Sequence, residues 1–117
     1  MEADFYLELK QLKKQGKIID FELQPKFNLI PSFKKHGVTY RKMDYIGDFL
    51  VFVKEGNDVK KVLYDVKGYS KDSTFLLKQK LFNYKYDIPL VLITWYQGQW
   101  MTVQEKENII KQRKKRK

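Results

Sequence analysis

Apolar residues recur at Phe5, Leu9 and Leu12, with charged positions filling the gaps. Spacings of four and three residues place those side chains on one face of a helix, so residues 2–15 read as an amphipathic helix stopped by Gly16. From Lys17 the pattern turns extended. Residues 18–24 and 27–30 read as strands, interrupted by Pro25 and ended by Pro31. Residues 31–37 read as a basic connection and residues 38–43 as a further strand. An apolar run from Phe49 to Val53 predicts a strand over residues 48–54. Glu55-Gly56-Asn57-Asp58 is a strong turn signal and residues 61–67 resume as a strand, so the two form a hairpin.

Gly68 closes that strand, and residues 69–73 read as polar loop. Residues 74–86 have the length and composition of a helix, with Leu77, Leu81 and Tyr84 expected on one face. After Pro89, the apolar residues 90–95 predict a fully buried strand. Residues 97–99 read as a turn, with a short edge strand around Trp100. Thr102 and Glu105 form a capping box that opens a last helix running into a basic tail. With no internal repeat and no linker, the order is α-β-β-β-α-β with additions. It predicts a single α/β domain over residues 1–110, with a mixed central sheet flanked by helices, and a basic tail over residues 111–117.

A length of 117 residues suits one domain. Hydrophobic residues at 43% and charged residues at 32% exclude a disordered composition, and 15% aromatic residues can fill a core. No apolar run approaches the ~18 residues a membrane span needs. The acidic start Met-Glu-Ala-Asp leads us to expect no secretory or organellar leader, and hence a cytoplasmic protein. The absence of cysteine removes disulfides, cysteine zinc sites and thiol catalysis. His36, the single histidine, cannot build a histidine-rich site. Any metal would be held by carboxylates and would be a hard ion such as Mg²⁺ or Mn²⁺.

The net charge is +10, and six basic residues among the last seven leave +4 on the first 110. A modestly basic body with a strongly basic end favours a polyanionic partner, because phosphate neutralisation releases counterions. We therefore expect Lys114, Lys115 and Arg116 to contact phosphates from a disordered terminal arm.

The chemistry concentrates around Asp48 and Asp65-Val66-Lys67. Side chains two apart on a strand share a face, so Asp65 and Lys67 project together while Val66 packs behind them. The short turn brings Asp48 alongside. Two carboxylates and an ammonium then converge, which suits phosphodiester hydrolysis: carboxylates can bind a divalent ion that acidifies water, and a lysine can orient that water or stabilise developing charge. A D-x-K taken alone is more often a solvated pair on a half-exposed sheet. Here the flanking Ile46, Phe49 and Leu50 make an unligated Asp48 costly.

Asp48…Asp65-Val66-Lys67 resembles the pattern of the PD-(D/E)XK nuclease superfamily, with Gly47 where proline is usual. More closely, the chain resembles small phage- and prophage-associated nuclease-like proteins. The matching residues are Glu2-Ala3-x-Phe5-Tyr6, Gly16-Lys17-Ile18, the run from Phe21 to Phe27, Arg41, Tyr45, Asp48-Phe49, Asp65-Val66-Lys67-Gly68 and Phe75-x-x-Lys78-x-Lys80-Leu81-Phe82. Together they cover residues 2–86.

This resemblance implies a restriction-endonuclease-like fold and a Mg²⁺- or Mn²⁺-dependent endonuclease acting on DNA. Branched substrates of the Holliday-junction or flap type in phage recombination or replication fit it, with cytoplasmic action in a host. By the same resemblance Asp48, Asp65 and the Val66 carbonyl are metal ligands, Lys67 is the catalytic lysine, and Glu2 completes the metal shell. Glu8 and then Asp4 are the alternatives to Glu2. Symmetric cutting of two strands would call for a homodimer.

Further DNA contacts follow from residue type and position. Gln24, polar in a hydrophobic strand, either lines the site or bonds backbone at a sheet edge. Lys78 and Lys80 lie ~200° apart on a helix, so Lys78 is placed nearer the site and Lys80 as an outer DNA contact. Arg41 is a phosphate contact or a surface ion pair. His36 should be exposed, and Trp95, Tyr96 and Trp100 should pack in the core. The rival classes are a non-catalytic DNA-binding module and a phage protein that inhibits or recruits a host partner.

Overall fold

A computed structural model describes residues 2–67 and 72–115. The first helix, α1, spans Glu2–Lys14 and buries Phe5 and Leu9, the stripe expected from their spacing. Glu2 and Asp4 in its first turn and Lys13 and Lys14 in its last complement the helix dipole. It ends in a Schellman arrangement, with the Lys17 N–H donating to the Leu12 carbonyl at 2.9 Å and the Gly16 N–H to the Lys13 carbonyl at 3.1 Å.

Nine strands and two more helices follow: β1 (Asp20–Leu23), β2 (Lys26–Ile30), β3 (Phe33–Lys35), β4 (Val38–Tyr40), β5 (Met43–Ile46), β6 (Phe49–Glu55), β7 (Asp58–Val66), α2 (Ser73–Lys85), β8 (Leu90–Tyr96), β9 (Gln99–Thr102) and α3 (Val103–Lys115). The central sheet has the order β1-β6-β7-β8-β9. Only β7 and β8 run parallel, joined by the crossover through α2; the other pairs are antiparallel. The fold is thus mixed α/β, with a mixed central sheet flanked by helices. Two small ribbons, β2–β5 and β3–β4, are additions to it.

Period-two alternation divides the core between the two faces of the sheet. On one face Phe49, Val51 and Ile93 pack with Phe5 and Leu9 of α1 and with Ile18. On the other, Leu50 and Leu63 pack against Phe82 of α2 and against Leu29 and Tyr45 of the β2–β5 ribbon. Asn28 ties that ribbon down: it donates to Asp44 at 3.0 Å, and its carbonyl accepts from Lys85 at 2.9 Å and from the Tyr86 hydroxyl at 2.8 Å.

Several expectations need correction. Residues 31–37 are not a plain connection; they contain β3, which turns back at His36-Gly37 to pair with β4. The expected strand over residues 38–43 is two strands, β4 and β5, in different sheets. Helix α2 does not bury Leu77 and Tyr84, which are 48% and 91% exposed; Phe82 is its fully buried residue, with Phe75 and Leu81 packed nearby. Within β8 only Ile93 and Thr94 are buried, and Trp95 is half exposed against Trp100, which itself packs on Phe5. Helix α3 continues through Lys115, so residues 111–115 are helical rather than a disordered arm. The Thr102 cap holds, its hydroxyl accepting from the Glu105 N–H at 3.0 Å. Gly68, the polar loop as far as Lys71, and Arg116 lie outside the described residues.

Candidate metal and phosphodiester site

The end of β7 sets the site. Alternation sends Tyr64 and Val66 to the α1 face and Leu63 and Asp65 to the α2 face. Asp65 is 2% exposed, one of two buried polar side chains among the described residues. The Lys67 N–H donates to the Ile93 carbonyl at 2.8 Å and so prolongs the parallel pairing with β8.

Asp48 arrives from the other side. Phe49 pairs with Tyr64, so one step back along β6 brings Asp48 across from Asp65. The loop between β1 and β2 fixes this approach: the Gln24 N–H donates to the Asp48 carbonyl at 2.9 Å, and the Gly47 N–H donates to the Pro25 carbonyl at 3.0 Å. Gly47 is buried so close to Leu63 that an added Cβ would stand 2.5 Å from Leu63 Cδ1. The space that a proline would use here is filled by Leu63.

The two carboxylates are then held by each other's strands. The Asp48 N–H donates to Asp65 Oδ1 at 2.9 Å, and the Val66 N–H donates to Asp48 Oδ2 at 2.7 Å. Among the described residues, the remaining oxygen of each has no hydrogen-bond partner, and neither aspartate has an ion-pair partner. Burial pushes the Asp65 carboxyl above the usual carboxylate range; the Lys67 charge and the Asp48 N–H oppose this, and the charge of Glu2 adds to it. A carboxylate perturbed in this way at a cleft is a recurring mark of functional sites. Lys67 is held with its Nζ 4.1 Å from the ring centroid of Phe75.

An open cavity of about 240 Å³ lies over this group, lined by Tyr45, Ile46, Asp65 and Lys67 from the sheets and by Asp72, Thr74, Phe75 and Lys78 around the start of α2. A larger depression of about 550 Å³ lies between the β6–β7 turn and Pro89, lined by exposed charges such as Glu55 and Lys60. It has no carboxylate held by backbone.

Of the expected site residues, Asp48, Asp65 and Lys67 converge. Lys78 lines the cavity whereas Lys80 is exposed outside it, as their angular separation predicts. Glu2 is exposed at the start of α1, and its charge is felt at Asp65. Gln24 acts on Asp48 through its backbone, with its side chain exposed and outside the cavity lining. Arg41 and His36 are exposed on the β3–β4 ribbon and its exit, and neither lines the cavity. Lys114 is exposed near the end of α3; the Lys115 side chain is outside the described residues.

Three contributors carried no role in the sequence. Phe75 holds Lys67. Asp72 caps α2 by accepting from the Phe75 N–H at 2.7 Å, a D-x-x pattern legible at a helix start. Tyr45 is 3% exposed, and its hydroxyl is buried beside the cavity with no hydrogen-bond partner among the described residues.

Among the described residues, no group of three or more acids or histidines is arranged to hold a metal ion. Two carboxylates that each keep an oxygen without a hydrogen-bond partner among the described residues nevertheless fit a hard divalent ion. Mg²⁺ commonly takes one or two carboxylates and keeps several waters or substrate oxygens.

Residues 1–102 match a family described as Protein of unknown function (DUF1064). The chain belongs to the DUF1064 family. No curated protein and no solved structure matches it at a significant level. Every residue of the site and its cavity falls within the DUF1064 match, whereas all of α3 lies beyond it. No described helix is long and apolar enough to cross a membrane.

Proposed function

We propose that this DUF1064 chain is a metal-dependent DNA endonuclease of the PD-(D/E)XK superfamily, hydrolysing phosphodiester bonds in branched DNA. The observation that carries the reading is the reciprocal hold of Asp48 and Asp65, with Asp65 lining a cavity together with Lys67 and Lys78 and Asp48 behind it. The antiparallel β1-β6-β7 strands, the α2 crossover and the parallel β8 are in keeping with a restriction-endonuclease-like core.

Asp48, Asp65 and the Val66 carbonyl would hold Mg²⁺ or Mn²⁺, with Glu2 as the outer acid. When bound, the ion supplies an acidified water and offsets negative charge on the phosphate. The chain's own residues do the rest. Backbone donors fix one oxygen of each aspartate and leave the other for the cation. Lys67, held over Phe75, orients the attacking water, takes its proton, or stabilises charge on the phosphorus oxygens. Lys78 draws the phosphate into the cavity. In-line attack by water leaves a 5′-phosphate and a 3′-hydroxyl. A body this small has little surface for reading sequence, which favours recognition of DNA shape, and a homodimer would cut two strands symmetrically.

One observation favours a second reading. Among the described residues no third acid is grouped with the two aspartates, which suits a fold that binds DNA and does not cut it. Thermal unfolding with Mn²⁺ separates the two: the nuclease reading expects Mn²⁺ to raise the melting temperature and Asp65→Ala to abolish the gain. A gain that survives Asp65→Ala, or no gain in the unaltered protein, removes the metal site.

A further inference from the structure

Strands β3 and β4 form a hairpin that stands apart from the body. Every residue from Pro31 to Lys42 is exposed, and the two strands pair with each other and join no other sheet. The turn is tight, with His36 at φ +50° and Gly37 at φ +77°, the positive-φ pair of a two-residue type I′ connection. A lone hairpin of this size is marginal in water. This one is pinned at its base by a cross-strand stack of Phe33 on Tyr40, rings 4.9 Å apart and 14° from parallel.

The charge of the arm is one-sided. No acidic residue occurs between Glu22 and Asp44, and the segment holds Lys34, Lys35, His36, Arg41 and Lys42. Lys42 pairs with Asp44 at 3.4 Å. Lys34, Lys35 and Arg41 have no acidic partner among the described residues. Register places Phe33 with Tyr40, Lys34 with Thr39 and Lys35 with Val38. Paired residues of an antiparallel ladder share a face and neighbours alternate, so Lys35 and Lys34 project from opposite faces.

We propose that the β3–β4 arm is a DNA-binding ribbon that enters the major groove of B-form duplex, with Lys34 and Lys35 reaching phosphates on its two walls. Cations on both faces suit a cleft with anionic walls on either side, whereas a flat anionic surface would be met by one face only. The B-form major groove, ~12 Å wide, admits a two-stranded ribbon. The A-form major groove of duplex RNA is too narrow for side chains to read. Arg41 lies four residues from Tyr45 at the cavity, at most ~14 Å of chain, so a duplex gripped by the arm lies next to the site. The choice of DNA as partner rests on the nuclease reading, although the arm shares no residue with the cavity.

The test is fluorescence anisotropy of a labelled duplex with the full chain carrying Asp65→Asn, so that cleavage does not intervene. The triple variant Lys34→Ala, Lys35→Ala, Arg41→Ala is compared with a control of equal charge, Lys54→Ala, Lys60→Ala, Lys61→Ala, on the β6–β7 hairpin. The arm variant should lose about tenfold or more in affinity at 0.1 M salt and lower the salt slope by about two to three, while the control changes little. A duplex RNA of the same sequence should bind more weakly. Unchanged affinity and slope in the arm variant, an equal loss in the control, or equal binding of duplex RNA would each overturn the proposal. A chain that cuts DNA yet binds equally well without the arm cations keeps the nuclease reading and loses the arm. One that binds through the arm and never cuts does the reverse.

Discussion

The Asp48 backbone donates its N–H to the Asp65 carboxylate at 2.9 Å, and Asp48 in turn accepts from the residue after Asp65. Each aspartate therefore helps fix the other. Neither side chain can move without releasing a backbone donor buried near the sheet, which pre-orients both carboxylates before any cation arrives.

That arrangement costs stability in the metal-free protein. Burial raises the Asp65 carboxyl above its ordinary value. An acid raised in the native state holds its proton more tightly there than in the unfolded chain. Its contribution favours folding below the unfolded value and is lost as pH rises through the native one. Once ionised, the buried Asp65 works against the fold. Asp65→Asn retains an oxygen for the Asp48 N–H and carries no charge to bury, so without metal it should melt above the unaltered protein at neutral pH. The gap should close as pH falls towards 4. Equal melting at pH 7, or a gap that widens on acidification, contradicts this.

Gly47 is set by steric contact. Gly47→Pro would press on Leu63, which is fully buried, and would remove the donor to the Pro25 carbonyl. Overpacking together with a lost buried hydrogen bond should cost about 2–4 kcal/mol. Urea denaturation reads this directly, and a cost under ~1 kcal/mol would mean that Leu63 yields.

The Tyr45 hydroxyl is buried and has no hydrogen-bond partner among the described residues. Tyr45→Phe should leave stability equal or raise it by up to about 1 kcal/mol, since an unsatisfied polar group is removed at constant shape. Destabilisation of more than ~1 kcal/mol would show that the hydroxyl has a partner in solution.

Helix α2 gives a packing contrast. Phe82 meets Phe27, Tyr45 and Tyr86 and has no exposed surface, so Phe82→Ala should cost about 3–5 kcal/mol. Tyr84 is 91% exposed, and Tyr84→Ala should fall within about 0.5 kcal/mol. Comparable losses would place the helix in a different rotation.

The same helix shows where sequence reading fails. Leu77 and Tyr84 look like core because they are large, yet Phe82 wins the buried face through aromatic neighbours brought in by β2, β5 and Tyr86. No local period carries that information. The hairpin of β6 and β7 was legible from its turn, and with it the meeting of Asp48, Asp65 and Lys67, because a fixed register determines which side chains share a face. Lys78 followed from helix geometry. Strand β3 was not legible, and β4 was read only as part of a longer strand over residues 38–43, since the arm alternates against no core and its segments are three residues each. The role of Tyr45 depends on a tertiary cavity and leaves no mark in the chain.

The measurement that bears most directly on the nuclease reading is cleavage of matched four-way junction, flap, single-stranded and linear duplex DNA with Mg²⁺ or Mn²⁺, run beside Asp65→Ala and Lys67→Ala at equal DNA occupancy. The nuclease reading predicts cutting of branched DNA, leaving 5′-phosphate ends, that each substitution abolishes. DNA bound tightly and left uncut under every condition, or cutting that persists in both variants, would contradict it.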